Sequence, residues 1–235
     1  KLEIDNYDII DQLKNLDINE QFLENGIIAP RNSIFTKEKE IQNLLGSLVE
    51  NLSNDKNIKR VYVKSNSNKE EYFISDNVVI ELIHSKLSLK SLSEAWIKLL
   101  FISSLEKRIT KTKVIFRKEN QYKSEILQTP GQLQSKKILE EYINIFKNYS
   151  DKCLPLPPES TYKYVEAKKL LKNEKKAFSD KWIGNKTFTK GERDNSVIQM
   201  CFGNKKEGDF FFGNDKFDDL SLRLYGPLFE ALKNK

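Results

Sequence analysis

An acid on one strand and an acid-x-Lys on the next form the smallest set that can cut a phosphodiester with a divalent cation. The acids seat Mg²⁺, while the lysine orients water and offsets charge developing on the phosphate. This sequence holds fragments of that set. Glu81 stands in the run Val79-Ile80-Glu81-Leu82-Ile83, with no lysine two residues on, and Asp76 precedes it in a turn. The plain reading is a solvated Asp76 and a salt-bridged Glu81. The alternative is an active Mg-dependent nuclease of the PD-(D/E)xK type using Asp76 and Glu81. Acid-x-Lys also occurs as Glu166-Ala-Lys168 and Glu174-Lys-Lys176. Both lie in helical sequence, where positions two apart point about 200° apart and do not converge on one ion.

Other chemistries find less. No GxxxxGK[ST] loop and no GxGxxG after a strand support nucleotide binding. His84 has no serine in a nucleophile elbow, and Cys153 has no identifiable base. His84, Cys153 and Cys201 therefore read as structural, and two cysteines with one histidine provide neither a disulfide framework nor a zinc cluster, in keeping with a reducing cytoplasm. Trp96 and Trp182 read as core anchors, with an interface as the alternative for Trp182. Positive charge is the remaining signal. Lys107, Arg108, Lys111, Lys113, Arg117 and Lys118 are the DNA-binding candidates, and Lys168, Lys169, Lys172, Lys175 and Lys176 form a second group. Either could neutralise phosphates without reading base sequence.

These residues sit in a chain of 235 with 40 Lys+Arg against 34 Asp+Glu, a net charge of +6. With 38% hydrophobic residues, 14 Phe and 9 Tyr, it can bury a sizeable core, which excludes wholesale disorder. No apolar run reaches the roughly 18 to 20 residues of a membrane span, so no membrane partner is expected. Lys1 reads as a cut point inside a longer chain.

The elements follow from periodicity. Apolar spacing predicts a helix over 5–25, stopped at Gly26, and a second over 36–52. Strands are expected at 58–64, 72–75 and 78–84, all antiparallel, then a helix capped by Ser93 and carrying Ala95, Trp96, Leu99 and Leu100. A hairpin of 111–117 and 122–127 comes next. Thr129 and Pro130 are expected to open a long helix lined by Ile138, Leu139, Tyr142, Ile145 and Phe146. The Pro-rich run 154–160 reads as a stiff crossover. Beyond it, Ser160 caps a helix over 162–171 and another covers 174–183. The segment 203–213 reads as a loop, and 217–232 as a helix kinked or divided by Pro227. The expected class is α/β (α+β), a small mixed sheet flanked by helices, in three stretches: 1–55, 56–150 and 151–235.

The order of several segments resembles the C-terminal domain of RecC, the gamma chain of exodeoxyribonuclease V. The segments are Asp5-Asn6-Tyr7, Glu24 through Pro30, Leu87 through Lys90, Ala95 through Leu100, Tyr149 through Ser160 with its Leu154-Pro155-Leu156-Pro157-Pro158, Gly191-Glu192-Arg193, and Leu222 through Leu228. Together they leave no part of the chain clearly outside the resemblance. Asp151 and Lys152 stand where the family has a nearby glycine. The resemblance implies a degenerate restriction-endonuclease-like (PD-(D/E)xK) nuclease fold without its active site. It also implies a non-catalytic scaffold for RecB-like and RecD-like subunits that contacts double-stranded DNA ends and separated single strands during double-strand-break repair by homologous recombination. No cofactor is expected in the domain itself, with ATP and Mg used by the partner subunits. The family's strand-splitting hairpin would lie at 62–73 or 117–122.

Overall fold

The computed structural model describes residues 2–6, 33–53, 55, 58–65, 68–185, 189–203, 208–213 and 216–233. The expected helix over 5–25 and its stop at Gly26 lie almost wholly outside them. Where the two overlap, the outcome differs: Leu2–Asn6 is a strand, β1, paired antiparallel with β2 (Lys59–Ser65). The chain divides into two compact units, 1–131 and 132–235. The expected middle stretch ran on to 150, whereas the long helix after 131 belongs to the second unit.

The first unit is a six-stranded mixed sheet in the order β1-β2-β3-β4-β5-β6. Strands β2, β3 (Asn68–Ser75) and β4 (Val78–Ile83) form an antiparallel meander. β4 then pairs in parallel with β5 (Lys111–Lys118), which pairs antiparallel with β6 (Gln121–Gln128). A parallel neighbour needs a crossover, supplied here by helix α2 (Leu89–Leu105). Side chains alternate between faces along a strand. Ile80 and Ile115 therefore meet Leu48, Leu52 and Ile58 under helix α1 (Ser33–Ser53), with Phe73 and Tyr122 against the same cluster. Glu81 points to the opposite face, where Lys98 of α2 reaches it. Helices cover both faces, as the pattern predicted.

Helix α2 begins earlier than the cap expected at Ser93. Ser88 Oγ accepts from the Ser91 amide and Ser91 Oγ accepts from the Ser88 amide, a reciprocal cap that leaves Ser93 inside the helix. Ala95, Trp96, Leu99 and Leu100 are buried as expected.

In the second unit α3 spans Gln132–Asn148, two residues after the expected Thr129-Pro130 start. The Thr129 hydroxyl accepts from the Gly131 amide, and Gly131 has φ +93°. Helix geometry cannot begin before that turn. Ile138 and Ile145 are buried, but Phe146 of the expected apolar face is exposed. Helix α4 (Pro158–Lys169) starts with Pro158 in its first turn, where a missing amide costs nothing. Ser160 is consequently fully buried inside the helix instead of capping it. Helix α5 (Glu174–Ile183) matches its expected bounds, capped by Asn173. Two short strands, β7 (Gly184–Asn185) and β8 (Thr189–Lys190), a 3-10 turn at Glu192–Asp194 and helix α6 (Ser196–Phe202) follow.

The expected loop over 203–213 contains helix α7 (Asp209–Phe212). Phe211 is buried against Phe178, Trp182, Phe202 and Phe217. Polar, glycine-rich surroundings hid a short helix whose central aromatic, Phe211, belongs to a core while Phe210 stays exposed. Helix α8 (Lys216–Lys233) carries Pro227 inside it without being divided.

Candidate nucleic-acid interface

The six candidate cations do not form one patch. Lys107 and Arg108 are exposed in the turn after α2, next to Lys111 at the start of β5. That end of the sheet also holds the β3–β4 turn, since the Thr110 amide donates to the Asn77 carbonyl and Asn77 Nδ2 to Thr110 Oγ1, 2.8 Å. Arg117 and Lys118 lie at the other end of β5, about 23 Å away at ~3.3 Å per residue. Lys113, between them, is committed elsewhere. Its ammonium lies 2.8 Å from the Asp55 carboxylate, each side chain only 12% exposed, and it also donates to the Asn51 carbonyl. It joins β5 to α1 and is not free for phosphate.

The parallel pairing collects a different set. The Arg117 amide donates to the Ser85 carbonyl, and His84 Nδ1 lies 3.4 Å from Tyr122 Oη. Exposed His84 and Lys86 after β4 therefore stand at the same sheet end as Arg117 and Lys118 of β5 and Lys123 of β6, all exposed. Carboxyl ends of parallel strands, where the chain departs into a crossover, form the crevice of open α/β sheets. Lys86 was missed because only the parallel register puts the exit of β4 beside the exit of β5; Lys123 stands across the expected hairpin, opposite Phe116.

The second basic group is mostly paired. Lys168 lies 2.5 Å from Asp218, and Lys169 lies 3.0 Å from Glu230. Lys175 stands over the Phe212 ring at 5.4 Å. Burial opposes the charge on Asp218, but hydrogen bonds from Lys168 and Tyr164 outweigh it and hold its carboxyl below the usual range. Glu166 of the Glu166-Ala-Lys168 triplet turns back to Lys163, 2.5 Å, so that triplet converges on nothing.

The proposed acids are also kept apart. Asp76 sits in the β3–β4 turn with φ 51°, a left-handed conformation that Asp tolerates. Glu81 is reached only after Val78, Val79 and Ile80, about 10 Å along the strand from Val78 alone. It faces α2, with its Oε1 2.5 Å from Lys98 Nζ. Two ligands of one Mg²⁺ each need an oxygen about 2.1 Å from it, and a lysine ammonium stands at Glu81 where the ion would. Among the described residues no three His, Cys, Asp or Glu side chains group so that they could hold a metal. Asp76 and Glu81 are therefore not placed to share one ion. Trp96 and Trp182 are both buried, as core anchors.

The fold is thus a mixed sheet with helices on it, in which the central acid of β4 is ion-paired to Lys98. The chain belongs to the RecC C-terminal domain family, whose model matches residues 37–169, more than half of the chain. Membership gives it a role in the RecBCD complex, exodeoxyribonuclease V, with RecB and RecD. No curated protein matches the chain. The match is narrower than the resemblance drawn from the sequence: it takes in 87–90, 95–100 and 149–160, but not 5–7, 24–30, 191–193 or 222–228.

Two of those outer segments nevertheless meet matched residues, at the end of the Pro-rich run and just beyond it. The Glu192 carboxylate accepts from the Glu159 and Ser160 amides at 2.9 and 2.7 Å, which caps α4 from a distance. Tyr225 packs edge-on against Tyr162 of α4, 6.1 Å between ring centres. Among the described residues no helix is long and apolar enough to cross a membrane.

Proposed function

We propose that this chain is a non-catalytic module of the RecBCD complex that scaffolds RecB-like and RecD-like subunits and contacts the DNA backbone. In this reading its sheet is a nuclease-like fold that has lost its metal site. The observation that carries it is the Glu81–Lys98 pair. The central acid of β4 is neutralised by a cation from the facing helix, so a divalent ion would first have to displace a lysine. ATP and Mg²⁺ are then used by the partner subunits, this domain needs no cofactor, and the complex works in the cytoplasm.

Duplex ends and separated strands would be held through charge alone, by Lys86, Arg117, Lys118 and Lys123 at one end of the sheet and by Lys107, Arg108 and Lys111 at the other. Lys113 is left out because Asp55 holds it. The tight β5–β6 hairpin, turning at Glu119-Asn120, lies in the first group and favours 117–122 over 62–73 as the strand-parting element.

Incubation of the purified chain with linear duplex and Mg²⁺ is expected to leave the DNA intact. Cleavage abolished by Glu81→Ala would restore the enzyme reading. Forked DNA should bind with strong salt dependence. Arg117→Ala with Lys118→Ala should lower the log–log salt slope by up to about 2, at roughly 0.9 per phosphate contact, and equally for any base sequence. Undetectable DNA binding at low salt beside stable capture of a RecB subunit would leave scaffolding alone.

A further inference from the structure

Helices α4 and α5 are joined by the turn Leu170-Leu171-Lys172-Asn173, which departs from the usual chemistry of a helix end. The Lys172 amide donates to the Ala167 carbonyl at 2.8 Å and the Leu171 amide to the Lys168 carbonyl at 3.1 Å. That pair of bonds ends a helix by placing one residue in the left-handed region, ordinarily glycine, and packing an apolar residue after it against the last turn. Here Leu171 takes the left-handed position, with φ 55°, and an exposed lysine follows. A side chain at that angle crowds its own backbone. Leu171 gains no contact in its own fold that would offset this, being 96% exposed, the most of any large apolar side chain among the described residues. Exposure alone is ordinary for an apolar residue, but strain held without a local contact points to a role elsewhere. The other described residues besides glycine with positive φ, Asp76 and Glu119, are polar.

The turn presents an apolar tip beside positive charge. Both flanking helix ends are closed, α4 by the bonds above and α5 by the Asn173 side chain, which accepts from the Lys176 amide at 2.9 Å. Leu170 stands next to Leu171 and is itself 41% exposed. Lys168 and Lys169 are ion-paired to Asp218 and Glu230, and Lys175 stands over the Phe212 ring. Lys172 and Lys176 are exposed, while Glu174, the one acid between 170 and 176, is partly buried.

We propose that Leu171, with Leu170 beside it, is a docking knob that enters an apolar pocket with an acidic rim on a partner subunit of the RecBCD complex. The inference rests on the scaffold reading and says where one of its contacts is made. A side chain that the backbone holds out between two capped helices loses little freedom on docking, and a pocket that takes the leucine out of water supplies the burial its own fold withholds. Lys172 and Lys176 match carboxylates at the rim, which steer the encounter and reject basic surfaces. A DNA backbone would meet the lysines and leave both leucines in water, whereas a protein pocket accommodates the whole tip.

In the test, each variant in the full-length chain competes with wild type for limiting RecB and RecD, and the captured ratio is read. Leu171→Gly should lower capture on the order of 30-fold while melting no lower than wild type, because glycine takes the left-handed angle without strain. Leu171→Met keeps an apolar side chain and should keep most of the affinity. Lys172→Glu combined with Lys176→Glu should weaken capture chiefly at low salt. If Leu171→Gly is captured as well as wild type, the knob is overturned and the scaffold reading stands. A wild-type chain that RecB and RecD do not capture would overturn both. A lower melting temperature for Leu171→Gly would make the leucine a folding contact, and lost binding of forked DNA with capture unchanged would make the tip a DNA contact; either result also overturns the knob.

Discussion

Lys113 illustrates how one residue type divides by its surroundings. Its charge is matched by Asp55 in a place with little water, and removing one partner of such a pair strands the other. Lys113→Ala should cost about 3 kcal/mol in urea unfolding, whereas Lys118→Ala, at the exposed end of β5, should stay within about 0.5 kcal/mol. A loss of DNA affinity in the first variant would thus be read as damaged folding. Gly191 is constrained by space. A Cβ there would stand 2.2 Å from the Trp182 carbonyl oxygen, so Gly191→Ala should destabilise by about 1 to 3 kcal/mol. Asp218 sets a pH limit. Its folded pKa is lowered against the pull of burial, chiefly by Lys168 and Tyr164. The stability it adds is present above the ordinary carboxylate pKa and lost as pH falls through the lowered one. Asp218→Asn should flatten the acid limb of the stability profile and leave its alkaline limb in place.

At the scale of elements, helix ends decide where the sequence reading slipped. Ser88 and Ser91 cap α2 reciprocally, and Ser88→Ala should cost about 1 kcal/mol while Ser93→Ala should cost less. The N-terminus of α4 is capped by Glu192 from another segment. Such a cap has no signature in local spacing, so Ser160 was the natural but mistaken choice. Glu192→Ala should therefore lose about 1 kcal/mol by thermal or urea unfolding, although it lies outside α4 entirely. Strands were read more closely than caps. The alternation of β-branched and apolar residues in 58–83 and the polar break at 118–121 are local signals, and β2 through β6 fall within a few residues of their expected bounds.

For the whole molecule, the two units have separate cores, one around Trp96 and one around Trp182. Trp96→Phe and Trp182→Phe variants each leave one reporter, and their fluorescence transitions in denaturant should not coincide. The tyrosines give both units an alkaline limit. Burial, with Glu166 adding to it, pushes Tyr162 up to about 12. Tyr72, Tyr164 and Tyr225 are raised further, foremost by burial, with Glu70, Asp218 and Glu192 respectively adding to it. A raised folded pKa means stability that is full below the unfolded value near 10 and lost above it. Ultraviolet titration should show these phenols ionising only together with unfolding, above about pH 10.

The amino-acid order by itself determined the class of fold, the missing acid-x-Lys on the strands, and the family, because alternation, turn residues and short motifs are carried by neighbours in the chain. Tertiary structure alone decided which charges act together. With the six cations split between its two ends by the length of β5, that strand's parallel pairing with β4 set Lys86 beside Arg117 and Lys118, α1 took Lys113, and α2 set Lys98 on Glu81. Each of these is a contact between residues far apart in sequence, fixed by strand register and helix packing, and periodicity within a segment holds no record of what that segment will meet.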